Sequence, residues 1–294
     1  MLQGGDVAQL GRFTAIALLL AHPAAAQPIS LVAAENFYGD VARQIAGTHA
    51  SVASVLNNPD QDPHLFEATP SVARLLSAAA IVVYNGADYD PWMVKLLAAS
   101  PSRDRRVIVV ANLVHRAPGD NPHFWYDPPT LPAYARALAA TLAERDPDHK
   151  DDYQKRLSDF LASLQPIGTK IAELRARYGG TAVTATEPVF GYMATALGFT
   201  MHNERCQLAV TNNTEPRMSD VAAFEDDLRA HKVRLLIYNS QATGTASERL
   251  VRIARLSNVP VVGVTEMEPA DRNYQHWMIG ALDAVARALA TSQP

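Results

Sequence analysis

The chain carries one hydrophobic rhythm twice. Short apolar runs, Ile29 to Ala34, Ser51 to Leu56, Ala80 to Tyr84 and Arg106 to Val110, alternate with stretches whose apolar positions recur every three or four residues. Runs bounded by turn residues predict strands, and the longer spacing predicts helices. Phe37, Val41 and Ile45 step along one helix face that Gly47 closes. Thr69 before Pro70 reads as a hydroxyl cap with proline at the first helical position, and another helix opens near Pro91. Strands and helices alternating at this pitch predict a parallel sheet flanked by helices.

The middle of the chain breaks this rhythm. From Pro132 to Tyr178 there is almost no glycine and no strand pattern. Tyr153, Leu157, Phe160, Leu164, Ile167, Ile171 and Leu174 form one apolar stripe, which predicts a long helix opened by Pro147, kinked at Pro166 and closed by Gly179-Gly180. Then the alternation resumes: strands at Thr181–Thr186, Val233–Tyr238 and Val259–Val264, and helices at Val189–Leu197, Glu215–Ala230, Ser247–Leu256 and Tyr274–Leu289. Ile81 to Gly86 is echoed by Leu235 to Ser240, a hint that both halves share one architecture. The expected fold class is therefore α/β, with two parallel-sheet lobes joined by one long rigid helix. The expected divisions are a signal segment at 1–26, an N-terminal lobe at 27–146, the linking helix at 147–178 and a C-terminal lobe at 179–294.

Composition narrows the class. The chain has 294 residues, 48% hydrophobic and 19% charged, enough for two lobes with substantial cores, and its net charge of -4 offers no basic stripe for nucleic acid. Arg12, the apolar run Phe13 to Ala21 and the small residues Pro23 to Ala26 read as an export signal cleaved near Ala26, which predicts a periplasmic protein. No other stretch is long and apolar enough to cross a membrane. The single cysteine, Cys206, rules out an intrachain disulfide and a multi-cysteine zinc site. With no cysteine at the cleavage point, no covalent membrane anchor is expected, and the chain is expected to be a monomer. Any metal site must be built from nitrogen and oxygen.

Four residues with that chemistry fall in loops that follow strands, where open α/β sheets bind ligands. His64 and His123 each follow a proline, which stiffens the backbone that carries the imidazole. Glu187 follows the strand ending at Thr186, and Glu266 stands two residues beyond Val264. Two residues come from each side of the long helix, so a shared site would lie in the cleft between lobes. Two neutral imidazoles and two carboxylates carry a charge that neutralises a divalent cation; without one, facing carboxylates repel. Asp127, Asn85 and Tyr274 are candidates for orienting these ligands. His49, His149 and His231 sit beside charged or turn residues and read as solvated, and Met218, Met267 and Met278 read as packing residues.

The pattern resembles the cluster A-I (TroA/ZnuA-like) periplasmic metal-binding proteins of ABC transporters. The resemblance rests on DPHLFEATPS from Asp62, IVVYNGADYDPWM from Ile81, NPHFWYDP from Asn121, TEPVFGYMATALGF from Thr186 and VPVVGVTEMEPADRNYQHWM from Val259. It implies two α/β lobes joined by a rigid helix, with one divalent ion, Zn²⁺ or Mn²⁺ and sometimes Fe²⁺, held between them and delivered to a membrane permease. This sequence departs from the family pattern in three places. Glu187 stands where zinc-type members usually have histidine, Glu266 stands where most have aspartate, and only His115 lies where many zinc-type members have a His-rich loop. Oxygen-rich ligand sets favour Mn²⁺, while the affinity order for divalent ions favours Zn²⁺. Two other readings stand beside capture. One is a metal-dependent hydrolase with Glu266 as base, although the chain lacks the HExxH and GxSxG motifs. The other is a surface adhesin with a structural metal.

Overall fold

The structure is a computed structural model and describes Met1 and residues 27–58, 63, 66–211, 214–242 and 244–291. The expected export signal and His64 lie outside the described residues.

The N-terminal lobe contains β1 (Ile29–Glu35), α1 (Asn36–Ala46), β2 (Ala50–Leu56), α2 (Pro70–Ser77), β3 (Ile81–Tyr84), α3 (Pro91–Ala99), β4 (Arg106–Val109), α4 (Val110–Leu113) and α5 (Thr130–Arg145). Its four strands are all parallel, in the order β2-β1-β3-β4. Leu31 to Ala34 and Ile81 to Val83 are buried, as expected for inner strands covered on both faces. Thr69 caps α2 by accepting from the Val72 amide, with Pro70 in the first turn.

Next come α6 (Lys150–Ser163) and α7 (Gln165–Tyr178). The stretch expected as one helix is thus two, meeting at Leu164, whose own backbone stays right-handed helical at φ -82, ψ -12. The cause is Pro166, which has no amide hydrogen for the Ala162 carbonyl and sits in the first turn of α7, where proline is tolerated. Each half then packs on its own side, α6 on α1 and α5, and α7 on the C-terminal helix.

The C-terminal lobe contains β5 (Ala182–Ala185), α8 (Gly191–Ala196), β6 (Thr200–His202), α9 (Glu204–Thr211), α10 (Met218–Arg229), β7 (Leu236–Asn239), α11 (Thr245–Leu256), β8 (Val261–Val264) and α12 (Tyr274–Thr291). The strand order β6-β5-β7-β8, again parallel, repeats that of the first lobe. The two echoed sequence phrases fall on β3 and β7, the equivalent third strands. β6 and α9 carry no sequence signal: β6 has three residues, and its one large apolar side chain is Met201.

The lobes share one apolar core, running from Leu31, Phe37 and Trp125 through Phe190 to Trp277 and Leu282. α12 is its spine. Trp277 meets Tyr126 edge-on at 5.4 Å and lies 6.0 Å from Phe37. Polar pins reinforce the junction. The Asn36 side chain donates to the Glu268 carbonyl at 2.7 Å and accepts from its amide at 3.1 Å, and the Gln275 amide donates to Gln44 at 2.8 Å. Among the described residues, no helix is long and apolar enough to cross a membrane.

Candidate metal centre

The C-terminal ends of both sheets face one another, and three of the four expected ligands lie there, His123 against Glu266 and Glu187 linked to Glu266 through Asn239. His123 is 1% exposed, Glu187 8% and Glu266 0%. Burial this complete in polar groups demands partners for each.

His123 hangs from the loop between α4 and α5, just before the helical turn Phe124–Tyr126. Asn121 sets its orientation. The Asn121 amide nitrogen donates to the Pro188 carbonyl at 2.8 Å, which turns its Oδ1 towards His123. That oxygen accepts from the His123 backbone amide at 3.1 Å and lies 2.7 Å from Nδ1 of the ring. An amide oxygen can only accept, so Nδ1 carries the hydrogen. In the neutral ring, Nε2 is then a lone pair, and it faces Glu266 Oε1 at 3.1 Å. Two acceptors at that distance require something positive between them, a proton or a cation.

Glu266 comes from the loop after β8. The Gln241 side chain fixes that loop by accepting from the amides of Glu266 and Met267 at 2.7 and 3.0 Å. The second carboxylate oxygen of Glu266, Oε2, accepts from the Tyr89 hydroxyl at 3.2 Å. Tyr89 is itself held by a tight turn after β3. There the Asp90 carboxylate accepts from the amides of Asn85 and Gly86 at 2.6 and 2.8 Å. Gly86 has φ +82, and a Cβ there would lie 2.7 Å from the Val109 side chain, so the turn requires glycine. Glu187 follows β5 with φ -143 and ψ 155, the extended geometry imposed by Pro188. Asn239, at the end of β7, joins the two carboxylates. Its Oδ1 accepts from the Gln241 amide at 3.0 Å, leaving its nitrogen to donate to Glu187 Oε2 at 2.9 Å and Glu266 Oε1 at 3.1 Å. In this arrangement the donor atoms of His123, Glu187 and Glu266 do not all lie within 4.8 Å of one another, since the Asn239 amide bridges the carboxylates.

The surroundings are aromatic and acidic. Tyr89, His123 and Trp125 meet edge to face at 5.0–5.9 Å. Beneath them Glu35 is wholly buried, and burial first, then the Asp90 charge, push its carboxyl well above the usual range. Burial also raises Asp90 to about 6.

The sequence reading missed Asn121, Tyr89, Asn239 and Gln241. Of these, Asn121 alone left a local signal, standing two residues before His123 where a short side chain can bond back to the backbone. Of the three expected orienting residues, Asn85 belongs to the network, donating to the Pro122 carbonyl at 3.0 Å and accepting from Tyr38 at 2.6 Å. Tyr274 donates to the Trp125 carbonyl at 2.8 Å. Asp127 pairs with Arg116 at 3.2 Å.

A family model described as zinc-uptake complex component A, periplasmic, matches residues 31–288. The manganese ABC transporter substrate-binding lipoprotein scaA of Streptococcus gordonii is 26% identical over 159 residues, 49% of this chain and 51% of the relative. The metal ABC transporter substrate-binding lipoprotein ScbA of Streptococcus cristatus is 22% identical over 286 residues, 89% of each chain. The solved structure of the periplasmic zinc-binding protein TroA from Treponema pallidum superposes with a TM-score of 0.76 at 18% identity, over 90% of this chain and 99% of that one.

Proposed function

Since the chain belongs to the periplasmic zinc-uptake complex component A family, we propose that it is an exported solute-binding protein and not an enzyme. It captures one divalent transition-metal ion between its lobes and hands it to the permease of an ABC transporter. His64, His123, Glu187 and Glu266 are the proposed ligands. The observation that carries this reading is His123 Nε2 held 3.1 Å from a carboxylate oxygen of a wholly buried glutamate. A cation between them satisfies both, and the Asn239 amide needs only to release its two carboxylates. The proposed cargo is Zn²⁺ or Mn²⁺, with Fe²⁺ a further candidate, in keeping with the zinc and manganese named for its relatives.

The names of two relatives speak of lipoproteins, against the expectation of an unanchored chain. The proposed domain limits and the monomeric state stay as read from the sequence. The test is metal titration of the exported form beside H64A and H123A variants. Loss of the tight equivalent in either variant supports the assignment; stoichiometric tight binding in both overturns it.

A further inference from the structure

We propose that the N-terminal lobe carries a second divalent-cation site, built from His49, Asp146 and His149 with Asp152 at its rim. It lies at the end of the sheet where β2 begins, opposite the end where β1 delivers Glu35. His49 closes the turn Gly47–His49, Asp146 follows α5, His149 closes the turn Pro147–His149, and Asp152 lies in the first turn of α6.

One donor atom from each of His49, Asp146 and His149 lies within 4.8 Å of the other two, the single such group of three among the described residues. His149 Nδ1 is 2.7 Å from Asp146 Oδ2, and His49 Nε2 is 3.2 Å from Asp152 Oδ2. Ligand atoms about 2.0–2.2 Å from a tetrahedral ion stand roughly 3.4 Å apart, so side-chain rotation without backbone movement completes the shell. The imidazoles stack with centroids 3.9 Å apart and planes at 27°. Imidazole lone pairs lie in the ring plane, so an ion held by both rings turns one of them out of this stack.

The support behind the ligands is already built. The Tyr153 hydroxyl, on a wholly buried ring, donates to Asp146 Oδ2 at 2.7 Å and fixes that carboxylate. That hydrogen bond and the neighbouring His149 hold Asp146 below the usual carboxylate range, so it is ionised at neutral pH. Two neutral imidazoles and two carboxylates neutralise a dication. The nitrogen content favours Zn²⁺, Ni²⁺ or Cu²⁺ over Mn²⁺ or Ca²⁺. Partial exposure of both rings, 21% and 41%, makes this an open, exchangeable site, unlike the buried one between the lobes.

The full chain and an H49A/H149A variant are titrated with Zn²⁺ at neutral pH. The variant is expected to bind one equivalent fewer; an equal count overturns the proposal. A second measurement does not depend on that variant folding. In an H123A/E266Q background, the imidazole nitrogen resonances of His49 and His149 are followed as Zn²⁺ is added. Both are expected to shift together with saturation at one equivalent; resonances that stay in place overturn the proposal.

Discussion

Asn121 Oδ1 lies 2.7 Å from Nδ1 of His123, and that contact decides which ring nitrogen faces the cleft. Without it the imidazole is free to present a hydrogen to Glu266 instead of a lone pair. An N121A variant is expected to bind Zn²⁺ about 10–100-fold more weakly, the cost usual for losing the partner of a ligating histidine. Competition against a coloured chelator measures this. An unchanged affinity in a folded variant would mean that Asn121 does not set the tautomer.

Asn85 and Asn239 stand at the ends of β3 and β7, the equivalent strands of the two lobes, and both are buried. They do different work. Asn85 holds the Pro122 carbonyl beside His123, and Asn239 holds the two carboxylates. Removing the Asn239 amide leaves two buried carboxylates facing each other without a shared donor. N239A is expected to lose about 1–3 kcal/mol of stability in the metal-free protein. Added Zn²⁺ should recover more of that loss than the gain it gives the unaltered protein. Thermal unfolding with and without Zn²⁺ reads both. An equal metal-induced gain in the two proteins would count against a bridging role.

Metal preference follows from ligand chemistry. The proposed set of two imidazoles and two carboxylates keeps the usual order in which Zn²⁺ binds more tightly than Mn²⁺. Direct competition is expected to show Zn²⁺ displacing Mn²⁺, even though glutamate at 187 and 266 makes the set oxygen-rich. Mn²⁺ displacing Zn²⁺ at equal concentration would show that the cleft enforces six-coordinate geometry.

How much of this was legible in the chain depends on the range of each interaction. Strands β1, β3 and β7 announce themselves because inner parallel strands are continuously apolar. His123, Glu187 and Glu266 were picked out because open α/β sheets bind ligands in the loops that follow their strands, and they stand as proposed ligands. Pro166 signalled a disturbance, but its outcome, two helices instead of one bent helix, depends on α6 and α7 packing on different partners. Asn239 was invisible because its donors reach residues 52 and 27 positions away, and no local pattern encodes that pairing. Asp127 could only be offered as a candidate for the complementary reason: a carboxylate four residues from a histidine says nothing about which way the loop turns it. His49 and His149 each read as solvated singly, since only the fold joins two short turns a hundred residues apart into one stack.

Glu268 provides a stability test that leaves the proposed ligands intact. It is 5% exposed, and its Oε2 has no hydrogen-bond partner among the described residues. Burial, and next the nearby Asp40 charge, raise its carboxyl to about 9 from an ordinary 4.5. Between those values the folded chain holds a proton that the unfolded chain has released. Stability from this group is therefore complete below about pH 4.5 and declines as pH rises towards 9. The decline is up to roughly 1.4 kcal/mol per pH unit. Glutamine at this position has no proton to lose. E268Q is expected to match the unaltered protein near pH 5 and to unfold at a higher temperature near pH 8. Melting curves for both proteins across that range are the measurement. A difference that stayed constant with pH would mean that Glu268 is not held protonated in the folded chain.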